Sequence, residues 1–360
     1  MECGLKRGWS DMRIGLIGAG RIGAVHARSL AGDPRVHRVD VVDADAERGR
    51  QVAAAVGGHV ADGLDALLDS APDAVVIAAP THTHAELVVQ CAGRGVPVLC
   101  EKPVFADLDT ARRVAAQVRE TGTLVQVGFQ RRYDPGYRRG FEAVRSGALG
   151  QLRRMHMVTA DPEPPPAAYV AVSGGIHRDC QIHDFDVLRW ISGREVVEVY
   201  ATGANRGAGY IGAAGDADEA VAVLTLDDGT LATMQASRYN GAGYDVRMEL
   251  AGSGATLAVG LDTRVPLRSL EPNAPALAES AWSGFMDRFA PAYRAEVTAF
   301  LDLVVAAAGA GVAPEGHCTV DDALQALLIA EAAAVSRRER RPVSLAELGS
   351  GAVLAGTAAG

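Results

Sequence analysis

The sequence predicts an α/β chain of two domains: a doubly wound parallel sheet over residues 12–133, then an α+β domain over residues 134–345 whose large sheet is mostly antiparallel. Three observations carry this. Short apolar runs alternate with helix-length segments through the first third of the chain. A glycine-rich turn joins the first run to the first helical segment. From Val196 to Val259, alternating runs follow one another with turns rather than helices between them. The length of 360 residues also exceeds what one core usually reaches, about 250–300 residues.

The expected strands of the first domain are Arg13–Ile17, Arg38–Val42, Ala74–Ala79, Val96–Cys100 and Leu124–Gly128. Each is short and rich in Val, Ile or Leu, as strands buried on both faces are. Helical spacing fills the intervals at Ala24–Leu30, Ala46–Val56, Ala85–Arg94 and Asp109–Glu120. After Tyr133 a helix over Gly136–Arg145 leads to a strand at Leu152–Thr159. The proline-rich loop Asp161–Pro166 cannot enter a sheet interior. One helix is expected over Arg178–Ile191, then strands at Val196–Thr202, Ala220–Leu226, Thr230–Ser237 and Val246–Leu250. Asp228-Gly229 is a hairpin signal. Long amphipathic helices over Gly284–Ala308 and Val320–Arg337 close the chain, with residues 1–11 and 346–360 expected to be flexible ends.

Composition narrows the function classes. A hydrophobic content of 48% with 22% charged residues is that of an ordinary globular protein. The net charge of −9 argues against nucleic acid or an anionic membrane as partner. No apolar run approaches the roughly 20 residues of a membrane span, and Met1–Asp11 has no apolar signal-peptide core. Cys3, Cys91, Cys100, Cys180 and Cys318 form no CxxC pair, so a reduced, cytoplasmic protein is expected. Cys180 and His183 have zinc-like spacing, but no second cysteine-rich cluster completes a tetrahedral site, and no metal is expected.

The run Gly18-Ala19-Gly20-Arg21-Ile22-Gly23 follows the first strand and opens the first helix. Its first glycine permits the tight turn, its second lets backbone approach a pyrophosphate, and its third lets helix and strand pack closely. The helix start then offers free N–H groups to phosphate. Asp43 ends the second strand 20 residues after Gly23. A carboxylate there accepts hydrogen bonds from both ribose hydroxyls of NAD and repels a 2′-phosphate. Strand, turn, helix and carboxylate together make a Rossmann dinucleotide site selective for NAD. Arg48 is the one nearby residue that softens this selectivity, and Asp45 is available to cap the next helix.

Other candidates lie at the carboxyl edges of later strands, where open α/β sheets bind ligands. Thr81 and His84 follow the strand ending at Ala79; at least one is a candidate cofactor contact, with an N-cap the alternative for Thr81. Lys102 follows another strand and is kept extended by Pro103, facing the same crevice. Asp179 and His183, four residues apart, share a helix face in a run richer in acid and imidazole than packing needs. A base of near-neutral pKa beside a carboxylate suits removal of an alcohol proton. Asp184 and Asp186 read instead as acids placed for the helix dipole.

The segments at residues 18–30, Glu101-Lys102-Pro103, Gly128–Pro135, residues 178–190 and Phe285–Phe300 together resemble the Gfo/Idh/MocA oxidoreductases, over about Met12 to Pro342. The sequence is most similar to their inositol 2-dehydrogenases, through Asp161–Pro166, Ser173–Gly175 and Gly243–Asp245. The resemblance implies an open-faced second sheet, pairing of subunits as homodimers or homotetramers, and Lys102, Asp179 and His183 as the catalytic set. It implies that His183 accepts the hydroxyl proton, Lys102 hydrogen-bonds the reacting oxygen and Asp179 orients both. Glu101 and Gln130 would line the nicotinamide side, with Arg21 and Ile22 part of the phosphate turn.

The implied reaction is NAD-dependent oxidation of a cyclitol alcohol to a ketone, myo-inositol to 2-keto-myo-inositol first. Scyllo-inositol, an aminocyclitol or a pyranose are alternative substrates. Expected polyol contacts are Lys102, Asp161, Asp179, His183, Tyr244 and either His156 or His177. Ala160, Ala242 and His177 depart from the family's common residues, all where the substrate is expected. Two competing readings are a glycosidase that uses NAD transiently and a cofactor-binding protein without catalysis. Lys102, Asp179 and His183 together argue against the second.

Overall fold

In the computed structural model of the protein, which describes residues 11–274, 280–309 and 315–349, strands and helices alternate through the first 133 residues. These are β1 (Met12–Ile17), α1 (Arg21–Ala31), β2 (Val36–Val42), α2 (Ala46–Ala55), β3 (His59–Val60), α3 (Leu64–Asp69), β4 (Ala74–Ile77), α4 (Thr81–Gly93), β5 (Val98–Glu101), α5 (Leu108–Thr121) and β6 (Val125–Gly128), then a 3-10 turn at Gln130–Tyr133. The six strands pair in parallel in the order β3-β2-β1-β4-β5-β6. That is the doubly wound order, with its switch point between β1 and β4. Every residue of β4, β5 and β6 is buried, which explains their uninterrupted apolar runs. β3 and α3 were not expected. A two-residue exposed strand and a six-residue helix are too short to carry a periodic signal.

The next elements are α6 (Pro135–Arg145), β7 (Leu152–Ala160), α7 (Ala167–Val170), a π-helical stretch His177–Gln181, α8 (Ile182–Ser192), β8 (Val196–Ala204), α9 (Gly209–Ala213), β9 (Glu219–Leu226), β10 (Leu231–Ser237), β11 (Asp245–Gly252), β12 (Thr256–Val259) and α10 (Phe285–Arg288). α11 (Ala290–Ala307), α12 (Val320–Glu339), β13 (Val343–Ser344) and α13 (Leu345–Gly349) complete them. The seven-stranded sheet runs β12-β11-β7-β10-β9-β8-β13. β7 and β10 are parallel and every other neighbouring pair is antiparallel. The β9–β10 hairpin turns at Asp228-Gly229, where Gly229 takes φ +84° and the Asp228 carboxylate accepts the Thr230 N–H.

One face of this sheet is buried, through Ala220, Ala222 and Leu224 on β9 and Ala232, Met234 and Ala236 on β10. The other face is open: Tyr200, Val221, Val223 and Leu231 are 42–50% exposed. Among the described residues no helix is long and apolar enough to cross a membrane.

Of the described residues, those up to 133 group with those from 291 to 324, and those from 134 to 290 group with those from 325 to 349. The uninterrupted second domain of residues 134–345 is therefore corrected. Val297, Phe300, Leu301 and Val304 of α11 belong to the core built by Ile14, Leu16, Val39, Val41 and Leu99. An apolar helix face does not state which core it will fill. The expected helix Gly284–Ala308 is two helices, α11 starting next to Pro291, where the missing N–H is harmless. The expected helix over Arg178–Ile191 is π-helical over its first part. Residues 346–349 belong to α13 rather than to a flexible end, while residues 1–10 and 350–360, with Cys3, lie outside the described residues.

Candidate functional site

In the first unit the phosphate turn grows from the end of β1. Gly18 has φ +98°, donates its N–H to the Val42 carbonyl at 2.8 Å, and leaves no room for a Cβ, which would lie 2.5 Å from the Ala78 carbonyl group. A Cβ on Gly23 would collide with the Gly18 carbonyl oxygen. At Gly20, by contrast, a Cβ meets nothing within 4 Å, so the space beside the turn is open. Gly20 is also the N-cap of α1 and supplies no capping side chain, so Arg21 and Ile22 stand in a first turn with uncapped N–H groups. Close backbone, open space and free donors fit a pyrophosphate.

Asp43 stands beside this turn. Its Oδ2 accepts the Ala19 N–H at 2.6 Å and its Oδ1 the Asp45 N–H at 2.7 Å. Arg48 closes on it, with Nη2 at 2.6 Å from Oδ1 and Nε at 3.3 Å from Oδ2. Burial pushes the Asp43 carboxyl up, but Arg48 and the two N–H donors outweigh it and hold the group below its ordinary range. Asp45 caps α2 through the Glu47 and Arg48 N–H groups.

Thr81 is the first residue of α4 and Pro80 takes the cap position, so the N-cap alternative for Thr81 is corrected. His84 is buried, with Nδ1 2.9 Å from the Pro103 carbonyl oxygen and Nε2 2.7 Å from that of Ala79. Each ring nitrogen faces a carbonyl oxygen, one at the end of β4 and one in the loop after β5, and whichever carries the proton donates to it, so the ring is turned to the backbone rather than to a cofactor. Glu101 ends β5, and its Oε1 shares a 2.7 Å hydrogen bond with His26 Nε2 of α1. Glu296 of α11 joins them, the three groups offering atoms within 4.8 Å of one another. A 2.7 Å N···O separation is that of a hydrogen bond between imidazole and carboxylate. A Cβ on Gly128 would sit 3.1 Å from the Glu101 Cα, so glycine there lets Glu101 occupy its place. Lys102 follows, its N–H 3.3 Å from Glu101 Oε2 and its peptide to Pro103 cis. Gln130 is buried in the 3-10 turn. His26 and Glu296 both lie in segments that carry the family resemblance, but the sequence reading gave neither a site role.

In the second unit Asp179 lies in the π-helical stretch and His183 in the first turn of α8. π-Turns inside helices recur at functional sites. Asp161 is close by, its carboxylate 3.8 Å from Cys180 Sγ. Cys180 is buried. Asp184 is fully buried and accepts the Thr159 hydroxyl at 2.9–3.1 Å, and Asp186 is buried too. Asp184 stands in the first turn of α8, where an acid suits the helix dipole, and it also fastens α8 to β7. Tyr244 is buried, its N–H bonded to the Trp282 carbonyl and its ring edge-on to Phe289.

His156 is not brought to this group. It alternates on β7 with Met155, Met157 and Thr159, whose face meets α8, and bonds Thr233 at 2.8 Å on the open face. Two residues that sequence reasoning did not single out join Asp179, and a third, Asp216, joins through one of them. Tyr169 of α7 donates its hydroxyl to Oδ1 at 2.8 Å, and Arg238, just past β10, donates to Oδ2 at 3.0 Å and to Asp216 at 3.1 Å. Burial, then the Asp179 carboxylate, raises the Tyr169 phenol, which stays protonated and able to donate.

His177 is buried, 2.6 Å from the Gln181 side-chain oxygen, and burial pushes its imidazole from an ordinary 6.5 down to about 4 despite that bond. Between these values the unfolded chain binds a proton there and the folded protein does not. Stability is therefore full above about pH 6.5 and falls as pH drops towards 4, by about 3 kcal/mol at most. His177→Leu removes this contribution. Urea midpoints at pH 7 and pH 4.5 should fall less in the variant than in the wild type, and equal falls would refute the assignment.

Residues 12–129 match the oxidoreductase family with an NAD-binding Rossmann fold, and residues 137–258 match the GFO/IDH/MocA C-terminal domain. An inositol 2-dehydrogenase of Rhizobium meliloti is 37% identical over 340 residues, covering 93% of this chain and 99% of its own length. The crystal structure of a myo-inositol dehydrogenase from Corynebacterium glutamicum superposes with a TM-score of 0.84 at 33% identity, covering 93% of this chain and 98% of that one. A scyllo-inositol dehydrogenase from Lactobacillus casei, solved with NAD(H) and scyllo-inositol bound, reaches a TM-score of 0.79 at 26% identity, covering 93% of this chain and 99% of its own.

Proposed function

This chain belongs to the Gfo/Idh/MocA family and is an NAD-dependent oxidoreductase, and from that premise we propose that it oxidises a secondary alcohol of a cyclitol to the ketone, with myo-inositol the first substrate. The observation that carries the reading is the Asp179–His183 segment, with the Asp161 carboxylate 3.8 Å from Cys180 within it, the buried Tyr244 in the same unit and Lys102 after β5 in the chain. The inositol dehydrogenases among its relatives support the same substrate class.

Gly18, Gly20 and Gly23 with the first turn of α1 hold the pyrophosphate, and Asp43 accepts the ribose hydroxyls. Glu101 and Gln130 line the nicotinamide side. Bound NAD supplies the two-electron acceptor. His183 takes the hydroxyl proton, Lys102 donates a hydrogen bond to the reacting oxygen, and Asp179 orients both. Asp161 and Tyr244 bind further hydroxyls of the ring. A cytoplasmic location is part of this reading, and the open face of the seven-stranded sheet supports a homodimer or homotetramer, whose subunit number light scattering reads.

The test compares kcat/KM with NAD for myo-inositol, scyllo-inositol, an aminocyclitol and glucose at one pH. A polyol site built from hydrogen-bonding side chains rejects an analogue lacking one hydroxyl by about 10⁴–10⁵ in favourable cases. The myo-inositol value is expected to be highest. NADH from glucose or the aminocyclitol with none from myo-inositol would sink the assignment, and sugar release without net NADH would favour the glycosidase reading.

A further inference from the structure

Asp179 sits where the helix is π-wound, and neither of its oxygens is left to that backbone to place. Tyr169 holds Oδ1 at 2.8 Å and Arg238 holds Oδ2 at 3.0 Å. The Arg238 side chain is 0% exposed, and its own N–H is bonded to the Asp218 carbonyl, so the guanidinium is delivered from a fixed strand end. Its second arm reaches Asp216 at 3.1 Å. Asp216 in turn accepts the Ile176 N–H at 2.9 Å, at the entrance of the π-stretch. Gly175, with φ +92°, lies against the same carboxylate; a Cβ there would come within 3.1 Å of Oδ1. One carboxylate therefore references both the backbone that leads into the π-stretch and the cation that grips Asp179.

We propose that Arg238, anchored by Asp216, and Tyr169 are positioning residues that set the Asp179 carboxylate for the reaction. The inference rests on the reading of Asp179 given above. A guanidinium suits the task because its planar fork addresses two carboxylates at fixed angles, which a single ammonium does not. Two carboxylates around one cation also remove the cost of burying Arg238 uncompensated. Buried ion clusters contribute little net stability, so a role in geometry accounts for this one better than a role in stability does. Tyr169 adds a link to the proline-rich loop: α7 begins directly after Pro166, and the Tyr169 hydroxyl meets Asp179. Loop 161–166 and the carboxylate are thereby held by one side chain.

The experiment measures kcat, the polyol KM and NAD affinity for Tyr169→Phe, Arg238→Lys and Asp179→Asn, with the best polyol of the panel above. Misplacing a reacting group by an ångström costs about 10²-fold, so Arg238→Lys should lose about that in kcat with NAD affinity unchanged. Tyr169→Phe keeps the ring and the fold and should lose about 10-fold, one hydrogen bond to a charged group being worth about 1.5–3 kcal/mol. Placed in the Asp179→Asn background, Tyr169→Phe should cost nothing further, because residues acting through one group do not add.

Losses that multiply in the double variant, or wild-type kcat in Tyr169→Phe and in a folded Arg238→Lys while Asp179→Asn is slow, overturn the proposal alone. Wild-type kcat in Asp179→Asn overturns the catalytic reading of Asp179 and this inference with it. If Arg238→Lys fails to fold, Tyr169→Phe and its double variant decide.

Discussion

Replacing His183 by alanine lowers kcat by about 10²–10⁴-fold, the usual cost of losing a general base, and leaves the Kd for NAD nearly unchanged. The two readouts separate because the residues proposed to hold NAD are the phosphate turn, Asp43 and Glu101, whereas His183, in the first turn of α8, is proposed only as the base. Isothermal titration with NAD and steady-state rates with the preferred polyol measure both. Lys102→Ala, next to Glu101 and its proposed nicotinamide contact, should instead lose rate and some cofactor affinity together. Oxidation by the wild type should accelerate as pH rises through the pKa of the base, since the neutral imidazole is the proton acceptor. A His183→Ala enzyme that turns over at the wild-type rate removes His183 from the mechanism.

Asp43→Ala should cut the ratio of kcat/KM for NAD over NADP by about 10²-fold or more, because a hydrogen bond to a charged group is worth about 1.5–3 kcal/mol and two effects act in the same direction. The variant loses the acceptor for the ribose hydroxyls, which weakens NAD. It also loses the charge that repels a 2′-phosphate, which admits NADP. The structure adds a third contribution: Arg48, now occupied at 2.6 Å by Asp43, is released to meet the phosphate. Adding Arg48→Ala to Asp43→Ala should therefore reduce the NADP gain. Wild-type kcat/KM higher with NADP than with NAD would refute the selectivity assigned to Asp43, and an unchanged ratio in Asp43→Ala would refute its role.

The parallel strands were legible because burial on both faces leaves each an unbroken apolar run, as at Ala74–Ile77 and Val98–Glu101. The glycine turn was legible for a similarly local reason. The φ of Gly18 and the missing Cβ of Gly23 are demands that only glycine meets, so they are written in residue identity. Asp45 as a cap and Asp228-Gly229 as a hairpin turn belong to the same class, each a contact between residues a few positions apart.

What local pattern could not show are contacts whose partners lie far along the chain. Periodicity in α11 states that one face is apolar, not that Val297 and Phe300 fill the core beside β1. His84 looked available for a ligand until its two ring nitrogens met the carbonyls of Ala79 and Pro103, and His156 looked like a polyol contact until β-alternation placed it on the open face. The surroundings of Asp179 are the sharpest case. Asp179 and His183 could be picked out by their spacing alone, but Arg238 follows Asp179 by 59 residues and Tyr169 precedes it by 10. Sequence alone determined the fold class, the dinucleotide turn and the residue types suited to the chemistry, because those are set by each residue's own conformational and hydrogen-bonding limits. Tertiary structure alone decided which buried charges face one another, because a buried ion must be matched by whatever the packed fold brings within about 3 Å of it.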